Sequence, residues 1–365
     1  MITNTGGLGD LLMMSSLVRE LSKKYEVDLV SNNPERAAAL AQQSIYKNIY
    51  YVDFSCARHF AHTHSRRQAI FKALCYYPIE YLTLSRRNYG AGINCGQLPW
   101  TVMLEGALLN VLAIPAIVGF HRPDEAVLAM QHHTVNEFDL VGPSFYLNLL
   151  TYFDIDSVSS PELYFEVDRS SRDQLQRILK KIVGIDVNHP IAVVHPGGTP
   201  HHNSRRWPAE YYREVIAHLA KKNYYVFISG MGPHDAEVCD FVHKEIGNSY
   251  NLCNQLTFQQ LAALIEKADI CISNDTSVVH LAAAVKCTML IAIYGPTNSA
   301  FLARTHKKHF IVTSDLECIP CRKSMLLLSL DEPCARAEKM ECLKKIKPAQ
   351  VIKLIDEHIH DRRGQ

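Results

Sequence analysis

The feature that most restricts this chain is an alternation of short apolar runs with amphipathic helical patterns, met twice and interrupted once. "MITNT" reads as a strand, and "LLMMSSLVRELSKKY" as a helix with apolar positions at Leu11, Met14, Leu17, Val18 and Leu21. "VDLVSN" is a second strand, followed by the helix "PERAAALAQQ" with proline in its first turn. Strands that alternate with helices pair in parallel, because each helix carries the chain back across the sheet. The middle shows helical patterns at "IFKALCYYPIEYLTLSRR" and "WTVMLEGALLNVLAI", short strands at "AGINC" and "AIVGF", and a mixed stretch, "VNEFDLVGPSFYLNLLTYF". Between residues 156 and 190 the pattern loosens around a lone helix, "SSRDQLQRILKKIVG", which marks a linker. A second alternating series runs from "IAVVHPGG" to "TMLIAIYG".

The expected organisation is therefore α/β, with two tandem Rossmann-like domains. They span residues 1–170 and 188–346, and a helical tail over 347–365 packs back on the body. In such an arrangement ligands bind beyond the C-terminal strand ends, in the cleft between domains. A chain of 365 residues, 47% hydrophobic and 21% charged, can bury cores of that size. Its net charge of +1 points to neither nucleic acid nor a strongly acidic partner. One local patch departs from this balance: Arg58, His59, His62, His64, Arg66, Arg67 and Lys72, followed by Arg86 and Arg87. It reads as a solvated helix face or as a docking surface for an anionic acceptor or membrane headgroups. No apolar run reaches the roughly 18 residues of a spanning helix, and no signal-peptide pattern opens the chain. The expectation is a cytoplasmic protein, peripheral to a membrane at most. The first strand is short enough that residues ahead of Met1 are expected in the natural protein.

Three loops carry the chemistry. In "NTGGLGD" the glycines, with Gly7 and Gly9 as candidate contacts, let a ligand approach the backbone, and Asp10 either caps the helix or acts as a reacting carboxylate. In "SNDTSVVH" a strand ends at Asn274, and Asp275, Thr276 and Ser277 open a helix whose N–H groups and positive dipole end suit a diphosphate. His280 lies four residues beyond Thr276 on the same face, as a ligand contact or a core histidine. In "HPGGTPHHNSRRWP" the loop offers Thr199, Arg205 and Arg206, since guanidinium forks match phosphate oxygens. Asp235, in "GMGPHDAEV", either accepts from ribose hydroxyls or caps its helix. The glycines make no G-x-G-x-x-G, which speaks against a nicotinamide-dependent oxidoreductase.

Taken together, "GGLGD", "HPGG…RRWP", "SNDTSVVHLAAA" and "IYGPTN" resemble glycosyltransferase family 9, the heptosyltransferases of lipopolysaccharide core synthesis, in order and over nearly the whole chain. The resemblance implies a GT-B fold with an acceptor-facing N-terminal domain and a C-terminal domain that binds a nucleotide-sugar, typically ADP-heptose. It implies that Asp10 is the general base and that Arg205 stands where relatives usually have a lysine on the diphosphate. Asp275, Thr276, Ser277 and His280 match the donor-binding segment, although relatives often have glycine at the position of Ser277. The implied reaction is inverting and needs no metal or other cofactor. Its acceptor is a lipid-linked saccharide or a protein side chain; a different nucleotide-sugar donor and a non-catalytic sugar-nucleotide binder are the remaining alternatives.

Eleven cysteines in a chain this large do not call for a disulfide framework. Cys239, Cys253, Cys271 and Cys287 fall inside strand or helix patterns and read as small buried apolar residues. Cys318 and Cys321 form C-x₂-C, with Cys334 twelve intervening residues on and Cys342 seven more beyond that. Four thiols at such spacing suit tetrahedral zinc or iron, with reduced thiols or a disulfide as the other readings. Family resemblance adds that some autotransporter-modifying relatives hold iron on such a cluster. Here it would be a structural staple with no part in the chemistry.

Overall fold

The computed structural model describes residues 1–4, 6–52, 78–95, 108–109, 112, 114–120, 131–133, 142–156, 161–183, 189–198, 204–302, 307–321, 334 and 336–359. The chain divides into two units, Met1–Pro161 and Glu162–Gln365. Most of the "WTVMLEGALLNVLAI" pattern and the basic stretch from Arg58 to Lys72 lie outside the described residues.

The first unit holds a six-stranded parallel sheet: β1 (Ile2–Asn4), β2 (Asp28–Ser31), β3 (Asn48–Tyr51), β4 (Gly92–Asn94), β5 (Ile117–Phe120) and β6 (Gln131–His133). Their spatial order is β3-β2-β1-β4-β5-β6. The chain moves outward from β1 to one edge, then crosses back to β4 and continues to the other, which makes the gap between β1 and β4 the switch point of a doubly wound sheet. Ile2 sits opposite Leu29 on one side and Ile93 on the other. The helix Leu8–Ser22 buries all five apolar positions that its periodicity picked out, each at 3% exposure or less. The helix Pro34–Leu40 is started by Asn33, whose side chain accepts from Arg36 N at 2.9 Å, and by Pro34 in its first turn.

The second unit repeats the design with β7 (Ile191–His195), β8 (Tyr225–Ile228), β9 (Ser249–Asn251), β10 (Ile270–Asn274), β11 (Leu290–Ile293) and β12 (His309–Val312). The order is β12-β11-β10-β7-β8-β9, so the switch point lies between β7 and β10. All five residues of each of these two central strands are buried, which explains why "IAVV" and "ICI" are apolar without alternation before the polar strand ends, where an alternating pattern would mark a half-exposed strand. Four strands escaped the sequence reading: β3, β6, β9 and β12. All four are edge strands.

The lone helix expected in the linker is Arg169–Val183, and it belongs to the second unit. Leu175 and Leu179 are buried, Gln174 accepts from Gln260 Nε2 at 2.7 Å, and Arg172 pairs with Glu266 at 2.7 Å. The boundary therefore falls at residue 161, before the helix, because its apolar face needs the helix Phe258–Lys267 to cover it. The tail helix Pro348–Ile359 packs on the helix Ala209–Lys221 of the same unit. It buries Val351 and Ile355 completely and sets Asp356 on His218 at 2.9 Å.

Candidate active site

Both sheets end, at their switch points, in turns that hold the candidate residues. In the first unit β1 runs through Gly6 and Gly7 into a helix that begins at Leu8, so Gly9 and Asp10 lie inside its first turn and not in the loop ahead of it. Asp10 folds back on the turn: its Oδ2 accepts from Gly7 N at 2.5 Å, and Asn4 Oδ1 accepts from Gly6 N at 2.7 Å. A Cβ at Gly6 would lie 2.6 Å from Asp10 Oδ2, so only glycine fits beside the carboxylate. Arg36, from the first turn of the helix Pro34–Leu40, donates Nη1 to the Gly6 carbonyl.

In the second unit Asn274 is the organising residue, though the sequence showed it only as the end of a strand. It is fully buried at the tip of β10. Its amide donates to the carbonyls of Pro196 and Gly197 at 2.9 and 3.1 Å, and its oxygen accepts from Trp207 N at 3.0 Å and the Tyr212 hydroxyl at 2.8 Å. One side chain thereby joins the turn after β7, the Trp-Pro turn and the helix Ala209–Lys221 to β10. Arg205 is carried on that Trp-Pro turn. Its Nη1 stands 3.2 Å from Asp275 Oδ2, and the same carboxylate oxygen accepts from Thr297 Oγ1 at 2.6 Å. Tyr294 is buried beside them, its phenol held well above its ordinary range by burial first and by Asp275 second. Arg205 Nε, like Arg206 Nε, is buried and meets no acceptor among the described residues, so both guanidiniums keep a donor not spent within the protein.

Thr276 caps the helix Ser277–Ala284, its hydroxyl accepting from Val278 N at 3.2 Å. Val279 N bonds the Thr276 carbonyl at 3.2 Å, so the attraction for an anion here rests on the positive helix end together with Arg205. Gly198 lies against Thr276, where a Cβ would be 3.4 Å from the threonine methyl, which brings the turn after β7 to the start of this helix. His280 sits in the same helix, 5% exposed. Thr199 lies outside the described residues.

Two further expected ligand contacts, Asp235 and Arg206, are bonded to one another and to the loop. Asp235 is 4% exposed and accepts from Gly198 N, Met231 N and Arg206 Nη2 at 3.1, 3.1 and 3.0 Å. Arg206 also donates to the Gly198 carbonyl. A carboxylate with three donors already on it at this depth braces the loop, and the capping reading of Asp235 describes its geometry better than a ribose contact does. His195 ends β7 inside this brace, 3.0 Å from Ser229 Oγ; burial lowers its pKa to about 4, with Asp235 opposing the shift and Arg206 adding to it. It is a neutral imidazole at pH 7.

The cysteines divide as their patterns implied. Cys239, Cys253, Cys271 and Cys287 are buried, at 9% exposure or less. Cys318, Cys321, Cys334 and Cys342 are free thiols within electrostatic reach of one another. Burial, and then Cys318 and Cys334, raise the Cys321 thiol, while burial pushes Cys342 up to about 11. Among the described residues no three His, Cys, Asp or Glu side chains form a group that could hold a metal, so the expected four-thiolate set is not assembled as placed here.

Two doubly wound parallel sheets with glycine turns at their switch points, and in the second a helix start beside Arg205, define an α/β protein of the two-Rossmann kind. Within that class the chain belongs to glycosyltransferase family 9, the heptosyltransferases, whose family model matches residues 84–329. The match begins beyond the turn that carries Asp10 and includes the turns that carry Arg205, Arg206, Asp235, Asn274, Asp275 and Thr297. The chain is 28% identical to lipooligosaccharide heptosyltransferase 2 of Campylobacter jejuni over 178 residues, 47% of this chain and 49% of that protein. It thus spans about half the length of the curated relatives it matches. Its fold is similar to that of E. coli ADP-heptose lps heptosyltransferase II, with a TM-score of 0.73, 16% identity and coverage of 99% and 98% of the two chains. It is also similar to the dodecameric iron-containing heptosyltransferase TibC of enterotoxigenic E. coli in complex with ADP-D-beta-D-heptose, with a TM-score of 0.54, 15% identity and coverage of 98% and 74%. These structural likenesses give the GT-B fold. No helix among the described residues is long and apolar enough to cross a membrane.

Proposed function

We propose that the chain transfers heptose from ADP-heptose to a hydroxyl of the lipopolysaccharide core, with inversion at the sugar carbon. The observation that carries this reading is Arg205, held by Asp275 beside the helix end at Thr276, with a buried donor still to spend. A departing diphosphate needs fixed positive charge where its negative charge develops, and a preorganised guanidinium and helix end supply it without rearrangement. Asp10 is the proton acceptor: as the acceptor oxygen bonds to the sugar carbon, its proton passes to the carboxylate, and the breaking carbon–oxygen bond leaves its electron pair on ADP. The names of the relatives, heptosyltransferases of lipooligosaccharide and an ADP-heptose-bound enzyme, support donor and acceptor alike. Arg86 and Arg87, with the preceding basic stretch, suit transient contact with an anionic membrane face from the cytoplasmic side.

The test is a panel of nucleotide-sugars scored by thermal stabilisation, then ADP release with lipopolysaccharide from a heptose-deficient strain. ADP-heptose should stabilise most and turn over; stabilisation by a different nucleotide series and not by ADP would overturn the reading. Zinc or iron as a structural staple would require the four C-terminal thiols, which influence one another electrostatically but form no metal-holding group as placed, to close around the ion. Protein purified without chelator should then carry about one equivalent, and under about 0.2 equivalents removes the staple.

A further inference from the structure

We infer that Arg36, a residue no motif singles out, is a positioning residue that holds Asp10 through one peptide plane. The inference rests on the reading of Asp10 as the base. The carbonyl of Gly6 and the N–H of Gly7 belong to the same peptide unit. Arg36 Nη1 donates to that carbonyl, and Asp10 Oδ2 accepts from that N–H at 2.5 Å. In a trans peptide the two groups point to opposite sides of one rigid plane, so the guanidinium and the carboxylate grip it from both ends. A peptide flanked by two glycines is the kind that rotates most freely, and the turn cannot trade Gly6 for a stiffer residue because a Cβ there would strike Asp10. The restraint therefore has to come from outside the turn.

Arg36 is suited to supply it. It sits in the first turn of the helix Pro34–Leu40, whose start is itself fixed by Asn33 and Pro34. Burial lowers its pKa, while the charges of Asp10 first and Glu35 second oppose that shift, so the guanidinium lies close to the carboxylate it serves. A cation on the carbonyl also polarises the amide and strengthens the N–H as a donor to Asp10, as hydrogen bonds in a chain do. Arg36 thus acts on the carboxylate by charge at short range and by geometry through the peptide.

Steady-state ADP release from ADP-heptose, with lipopolysaccharide of a heptose-deficient strain as acceptor, is measured for the natural chain, Arg36→Met and Arg36→Lys. Amide exchange at Gly7 is followed in parallel by NMR. In Arg36→Met, kcat should fall about 10- to 100-fold, the scale of a misplaced reacting group, with KM for ADP-heptose within about twofold. Gly7 exchange should accelerate, and Arg36→Lys should recover part of both. An unchanged kcat in Arg36→Met, or lysine as damaging as methionine, overturns the inference. If Arg36→Met is insoluble, Arg36→Gln carries the same comparison. Should the natural chain release no ADP, the functional reading fails, and the Gly7 exchange rate alone decides the role of Arg36: no acceleration refutes it.

Discussion

The turn after β1 and the turns after β7 and β10 flank the switch points of two sheets of the same strand order, β7 standing where β1 does, yet they present opposite charge. In the first unit a carboxylate, Asp10, is presented by bare glycine backbone and steadied by an arginine. In the second an arginine, Arg205, is presented by a polar loop and steadied by a carboxylate, Asp275. The topology brings strand ends and helix starts together in both. On the proposed function, which side chain faces the ligand and which serves as its brace sets whether the turn takes a proton or holds an anion. Among the described residues the second unit holds more buried polar structure, with Asn274 and Asp235 each bonded to three or more groups. An anion site must keep several donors converged, whereas a base needs one oxygen in place.

The comparison breaks most visibly at Asp10. Asp10→Asn retains an oxygen for the Gly7 N–H, so the protein should fold and bind ADP while transfer slows by about 10²–10⁴-fold, the range for a removed general base. Transfer at the natural rate would make Asp10 a helix cap and nothing more. Next comes Asn274→Leu, which strands the Trp207 N–H and the Tyr212 hydroxyl in the core. A loss of about 3 kcal/mol in denaturant unfolding is expected, and a loss under about 1 kcal/mol would show that the turns do not depend on it.

Arg205→Ala should leave folding intact and weaken ADP binding by about 1.5–3 kcal/mol, as for a charge-assisted bond, measured by calorimetry. Equal ADP affinity would move the diphosphate elsewhere. The smallest effect concerns His195. Its pKa falls from 6.5 to about 4 on burial, so the unfolded chain binds a proton that the folded chain refuses. Its share of stability is present above pH 6.5 and is lost as pH drops toward 4, with a decline of about 1 kcal/mol between pH 7 and 5.5. His195→Gln should flatten that part of the stability profile, and an unaltered slope would assign it to other groups.

Much of this was legible in the residues because the informative patterns are local. Central strands such as β7 and β10 are buried on both faces and show apolar residues without alternation up to their polar ends. The edge strands β3, β6, β9 and β12 are short and have a neighbour on one side only, so "NIYY", "QHH", "SYN" and "HFIV" carry little pattern of their own. Asp10, Arg205, Asp275 and Thr276 stood out because each sits where an apolar run gives way to a helix start. Arg206 and Asp235 stood out for the same reason, but charge type at a loop does not tell a ligand contact from a brace.

What the sequence by itself determined is the α/β alternation, the two units and the turns where ligand chemistry can occur, since hydrophobic period, glycine and helix caps act over a few residues. What only the tertiary structure decided is the division of labour within those turns. Asn274 meets Trp207 across 67 positions, Thr297 meets Asp275 across 22, and Arg36 meets Gly6 across 30. A hydrogen bond between residues so far apart leaves no spacing to read, because parallel strands bring their ends together only after whole helices have intervened.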